Sequence, residues 1–187
     1  MPGRQLERRF VAEELRVEGR TLTGLAAPFD REARLGRLVE VIRRGAFARS
    51  LRAGVDVRAL VDHDPTRLLG RTRSGTLELH EATEGLAFSI AAPATQLGDD
   101  TLELARRGDL SGMSFGFRAR PDGERTRGRV RELVDVDLME VSVITGGQPA
   151  YPDTSVSARS RELYAADLAA LTRAARTAAR TLSRRPR

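Results

Sequence analysis

The sequence has no cysteine and no lysine, and neither asparagine nor tryptophan occurs in it. The first absence excludes disulfides, thiolate metal sites and a cysteine nucleophile. The second excludes a lysine general base or Schiff-base nucleophile, since all 32 basic residues are arginine. Aromatic residues are scarce, at 4% of the chain, which argues against a single-strand nucleic-acid binder, whose bases need rings to stack on. No apolar run approaches the ~18 residues of a membrane span. "MPGRQLERRF" has charges with no hydrophobic stretch after them, so it does not read as a secretory signal. The expectation is a soluble cytoplasmic protein without a membrane association.

What is present is enough chain for one domain, with a charged end. The 187 residues suffice for a domain with a real core and something left over. The net charge is +6, but residues 160–187 carry seven arginines against Glu162 and Asp167, so the rest is nearly neutral. Blanket nucleic-acid binding is therefore a weak reading for residues 1–159, and no specific nucleic-acid partner is expected. We divide the chain into a domain over 1–158 and a basic Arg/Ala-rich helical tail over 159–187.

Along the body, short strand patterns dominate. "FVAEELRVEG" fits helix or strand, and "RTLTGLAAPFD" alternates until Gly24 and Pro28. "RLVEVIRRGAF" gives a strand and "GAFARSLRAG" a helical segment ended by Gly54. "VRALVDHD" is an apolar strand closed by Asp64 and Pro65, and "RTRSGTLELHEATEGLAFSIAAP" reads as a hairpin turning near Gly85. "LGDDTLELARRGDLS" is a helix with an acidic start, arginines in its last turn and Gly108 as its stop. "SGMSFGFRAR" follows as a strand and "PDGERTRG" as a polar turn, and "RVRELVDVDLMEVSVIT" is one long strand or two joined. Strands without regular βα alternation predict a mainly β (α+β) fold: an antiparallel β-barrel or sandwich with helices beside it.

Two histidines limit the chemistry. His80 sits among charged neighbours and reads as solvated, whereas His63 lies where an apolar strand runs out, a place that holds a ring rigidly yet accessibly. No HxxxH, HExxH or paired-carboxylate spacing supports a metal, and no Walker or GxGxxG loop supports a nucleotide. Serine with histidine remains. A serine hydroxyl needs a base within hydrogen-bond reach, and the base needs a third group to fix its tautomer. Ser114, between Gly112 and Gly116, has small neighbours that let a substrate backbone approach. The structural alternative is a strand with a glycine bulge and a locally paired hydroxyl. For the third group, strict alternation puts Glu140 on one face with Val136, Leu138, Ser142 and Ile144. A carboxylate on so apolar a face needs a partner, and a histidine or one of the many arginines would serve.

These segments together resemble the prohead (head maturation) serine proteases of tailed bacteriophages, a family related to the herpesvirus assemblins. The resemblance runs from about Thr23 to Ser155 through "GLAAPFD", "EVIRRGAFARSL", "VRALVDHDPTRLLGRT", "GDLSGMSFGF" and "VDLMEVSVITGGQPAYPDTSV", in that order. It implies an antiparallel β-barrel flanked by helices and a serine endopeptidase with His63 as base, Ser114 as nucleophile and Glu140 as the acidic member. Ser111 falls outside the matching position and becomes a turn residue. Main-chain N–H groups at Phe115 and Gly116 are the candidate oxyanion donors. One departure is "GGQ" between Thr145 and "PAYP", where the family runs on almost directly. The resemblance further implies action inside the immature capsid, in the host cytoplasm, on the scaffolding segment of the major capsid protein and on the protease itself. No cofactor is implied, and the assemblin comparison implies a homodimer. The basic tail is a solvated helix, a scaffold-binding arm or a segment removed on maturation. Two other readings stand beside the protease: a catalytically degenerate shell component of the same fold, and nucleic-acid binding through the tail.

Overall fold

A computed structural model describes residues 5–12 and 15–146. The chain runs through β1 (Glu7–Val11), β2 (Arg16–Glu18), β3 (Thr21–Pro28), β4 (Glu32–Leu35) and β5 (Leu38–Ile42) to the short helix α1 (Ala48–Arg52). It continues through β6 (Arg58–Val61), β7 (Asp64–Arg71), β8 (Leu77–Glu81) and β9 (Gly85–Ala91) to α2 (Gln96–Arg107). Then come β10 (Gly112–Ala119), β11 (Glu124–Arg127), β12 (Val130–Leu133) and β13 (Val136–Ile144).

The expected mainly β architecture is present, and its geometry differs from a barrel. The strands form three sheets, ordered β1-β10-β13-β6-β7, β11-β12-β5-β4 and β2-β3-β9-β8, and no closed barrel is found among the described residues. Pairing is antiparallel except where β13 lies beside β6 and β12 beside β5. These two parallel pairs join strands distant in sequence, as parallel pairing requires a long crossover. The expected helical tail over 159–187, and the boundary at 158, lie outside the described residues.

Local chemistry accounts for most elements. Thr95 caps α2 by accepting from the Gly98 N–H, Asp99 sits in its first turn, and Arg106 and Arg107 sit in its last. Gly108, at φ 75°, supplies the left-handed residue that ends the helix. The stretch read as one long strand or two is two strands, and they belong to different sheets. Gly123 is the reason. Its carbonyl takes the N–H groups of both Val134 and Asp135, and a Cβ on it would lie 1.9 Å from the Asp135 carbonyl oxygen. The "PDGERTRG" segment, expected to be a polar turn, contains the strand β11 (Glu124–Arg127), all four residues of which are exposed.

The core explains how so few aromatics suffice. Of six phenylalanines, Phe29, Phe47, Phe115 and Phe117 form one chain of ring contacts with centroid separations of 6.1, 5.8 and 5.4 Å. Each such pair adds about 0.5–1.5 kcal/mol to the burial of the rings themselves. Phe115 and Phe117 are fully buried and alternate along β10 with Ser114 and Gly116. Anchoring the two rings in the core fixes which way the other face of β10 points.

A charged cluster joins two of the sheets. Glu40 on β5 is fully buried and accepts two bonds from Arg9 on β1, Nε–Oε1 at 2.7 Å and Nη2–Oε2 at 2.8 Å. Arg131 on β12 reaches the same carboxylate at 3.0 Å and holds Glu7 with both terminal nitrogens. The Glu7 carboxyl is held below its usual range, chiefly by the Arg131 hydrogen bond. The Arg9 guanidinium also lies 5.4 Å from the Phe117 ring centre, in cation–π contact.

Candidate active site

The histidine is placed by a strained turn. Val61 pairs with Asp64, so the hairpin between β6 and β7 has only Asp62 and His63 at its tip, with φ of 50° and 60°. Positive φ at both central residues is the signature of the tight hairpin turn that matches strand twist. Neither residue is glycine, and a left-handed non-glycine residue costs about 1–2 kcal/mol. The turn comes two residues earlier than the sequence suggests, and Pro65 lies within β7. That is tolerable because β7 is an edge strand, where a missing N–H breaks no ladder.

Asp62 holds the turn down. Its carboxylate accepts from the Thr145 N–H at 2.9 Å, the Thr145 hydroxyl at 2.9 Å and Arg67 Nη1 at 3.2 Å. Its own N–H donates to the Val143 carbonyl at 2.8 Å. The hairpin tip is thereby fastened to the end of β13, and the imidazole beside it has a fixed base.

The serine comes from the middle of β10 and the carboxylate from β13. Ser114 pairs with Ser142 and Gly116 with Glu140. Between Gly116 and Phe117 the register slips, because Met139 is an extra residue on β13. This bulge corrects the face expected from strict alternation. Glu140 and Ser142 share a face with Ser114 and Gly116, while Val136 and Leu138 turn to the core side with Phe115 and Phe117. On that face the buried carboxylate is flanked by Arg8 of β1 and Arg58 of β6, which pair with Gly116 and Glu140.

On that face the three expected residues meet. His63 Nε2 lies 2.7 Å from Ser114 Oγ, and His63 Nδ1 lies 2.7 Å from Glu140 Oε1. A carboxylate only accepts, so Nδ1 carries the proton, and the neutral ring then accepts from the serine through Nε2. Ser114 and Glu140 are 1% and 2% exposed, which removes competing water from both contacts. Burial lowers the His63 pKa below the ordinary 6.5, opposed by the bond to Glu140 and reinforced by the charge of Arg8. A neutral ring is the form able to take a proton.

The sequence left Glu140 a choice between a histidine and an arginine, and it has both. Arg8 Nε donates to the same Oε1 at 3.0 Å, and Arg58 Nη2 stands 3.9 Å from Oε2. Gly116 makes room for this arrangement. A Cβ there would meet Glu140 Cγ at 2.7 Å and Oε1 at 3.0 Å. Arg8 was not singled out by its sequence, because it stands before the first segment with a readable strand pattern and has no motif around it.

Other expected residues fall elsewhere. Ser111 lies before β10, its N–H on the Ile144 carbonyl and its hydroxyl on the Thr145 carbonyl, so it extends the β10–β13 pairing and is not part of the helix-closing turn expected for it, which falls at Gly108. His80 is on β8, in a different sheet from His63. Phe115 and Gly116 are mid-strand residues paired with Arg9 and Arg8 on one side and Val141 and Glu140 on the other. An interior strand commits each N–H to one ladder or the other, so this pair is poorly placed to supply oxyanion donors. The Gln148 of the "GGQ" insertion lies outside the described residues.

The serine, imidazole and carboxylate stand in the order, and at the separations, that nucleophilic catalysis by serine requires. A search of curated proteins returns no match to the chain. A family model described as Caudovirus prohead serine protease matches residues 7–168, a span that includes Arg8, His63, Ser114 and Glu140. The chain belongs to that family of serine proteases.

Proposed function

We propose that this protein is the endopeptidase that trims the scaffolding segment of the major capsid protein, and itself, inside the immature capsid, with Ser114, His63 and Glu140 as its catalytic residues. The observation that carries the reading is the single imidazole bonded at 2.7 Å to a buried serine on one side and to a buried carboxylate on the other. In this mechanism His63 Nε2 takes the Ser114 proton as Oγ bonds to the scissile carbonyl carbon, and the carbonyl π pair moves to oxygen. The imidazolium, stabilised by Glu140, then gives the proton to the leaving amine as the C–N bond breaks. A water activated by the same ring hydrolyses the acyl-enzyme, and Ser114 recovers its proton. A homodimer, as the assemblin comparison implies, belongs to the same proposal.

Co-expression with the cognate capsid protein tests it. Wild-type chain trims the capsid protein, and Ser114→Ala does not. If Ser114→Ala still trims while Ser111→Ala does not, the nucleophile is misassigned. If neither variant affects trimming, the shell-component reading gains.

A further inference from the structure

Two buried hydroxyls among the described residues find no hydrogen-bond partner, those of Ser89 and Ser142. Ser89 is on β9, in another sheet from the site. Ser142 is not remote. It is fully buried, and it pairs directly with Ser114 across the β10–β13 ladder. Directly opposed residues have Cβ atoms about 4.5–5.5 Å apart on the same face, so one side-chain rotation brings the two hydroxyls within reach. Buried polar atoms are nearly always paired, and an exception calls for a reason.

We infer that Ser142 is a second hydrogen-bond donor to the Ser114 oxygen, engaged when Ser114 loses its proton. The inference rests on the reading of Ser114 as nucleophile. In the resting state Ser114 Oγ donates to His63 Nε2 and is a weak, neutral acceptor. As the proton passes to Nε2, Oγ gains negative charge, and a bond from the Ser142 O–H becomes charge-assisted and stronger. The same holds in deacylation, when the C–Oγ bond breaks and the pair returns to Oγ before His63 reprotonates it. A donor unmet in the ground state and met in the transition state lowers the barrier by the full difference between the two. No substrate group competes for it, because Ser142 lies wholly beneath the surface.

The test uses the full chain and a fluorophosphonate probe, which needs no knowledge of the natural substrate. In labelling, the Ser114 Oγ–P bond forms, the P–F bond breaks, fluoride leaves and His63 takes the proton. Ser142→Ala is expected to label roughly 10- to 100-fold more slowly, the worth of one hydrogen bond to a charged group. Its thermal midpoint should equal or exceed wild type, because an unpaired buried hydroxyl has been removed. Ser142→Cys fills the space with a poor donor and is expected to be slow as well. The pH at half-maximal labelling should not move in either variant, since the His63–Glu140 pair is intact. Wild-type labelling by Ser142→Ala overturns the inference, and so does slow labelling by Ala with normal labelling by Cys, which would assign Ser142 to packing. Ser114→Ala is the control: abolished labelling there keeps the nucleophile assignment whatever Ser142 does, and persistent labelling there removes it.

Discussion

Glu140 lies folded across the face of Gly116, so close that a methyl group on Gly116 would stand 2.7 Å from its Cγ. The backbone at Gly116 is not in the left-handed region, so the demand for glycine is one of space alone. The consequence for His63 is direct, because Glu140 Oε1 holds its Nδ1.

Gly116→Ala should therefore act as a lesion of the carboxylate. Overpacking of this kind costs about 1–3 kcal/mol of stability, and the displaced carboxylate would release the imidazole. Probe labelling of Ser114 should fall by about two orders of magnitude while far-ultraviolet circular dichroism stays that of the wild type. Unchanged labelling in a folded Gly116→Ala protein would show that Glu140 can move aside without loss.

On the proposed mechanism, the protonation of His63 sets the acid limb of activity. Its pKa is lowered, by burial first and with the Arg8 charge adding to the effect. Activity should thus rise with pH through a midpoint below 6.5 and be fully present at neutral pH. Arg8→Gln removes a positive charge from beside the ring, which favours the imidazolium, so the midpoint should move to higher pH. It also leaves Glu140 free to pair more strongly with His63, a change of the same sign. A pH profile of labelling for the two proteins decides the matter, and a midpoint that stays put or moves down contradicts the assignment.

The Arg9–Glu40 pair makes a prediction about stability. Arg9→Ala removes the bidentate partner of a fully buried carboxylate, and breaking such a pair typically costs about 3–5 kcal/mol. Replacing both partners with apolar residues of similar size, as in Arg9→Met with Glu40→Leu, should recover much of that loss. Urea unfolding of the single and double variants measures both. A double variant no more stable than the single one would mean the charges are needed for the sheets to dock at all.

The sequence made the elements of the site readable and hid their arrangement. The helix from Gln96 to Arg107 announces itself through its cap, its charges and Gly108, and β10 follows at once. His63, Ser114 and Glu140 were recognisable because each stands in a segment with a distinctive order of neighbours. The bulge at Met139 was not, because one extra residue leaves no mark on a period-two pattern. It swapped Glu140 to the other face from Val136 and Leu138. The turn at Asp62 and His63 was hidden because its residues are not the Asn-Gly or Asp-Gly pairs that usually report such a turn. The three open sheets could not be distinguished from a barrel, since strand patterns record which residues are buried and not which strands are neighbours. Arg8 was invisible for a similar reason: its role depends on β1 lying next to β10, a pairing over more than a hundred residues of chain.

The order of strands in the first sheet also imposes an order in time. β13 lies between β10, which bears Ser114, and β6, whose hairpin bears His63. Both halves of the proton relay are synthesised well before the strand that must wedge between them. A nascent chain that has not yet delivered Val136–Ile144 holds a serine and a histidine with an unfilled gap where their common support will be. On the proposed mechanism Glu140 arrives with that same strand, so a chain stalled before Val136 is expected to leave a fluorophosphonate probe unreacted.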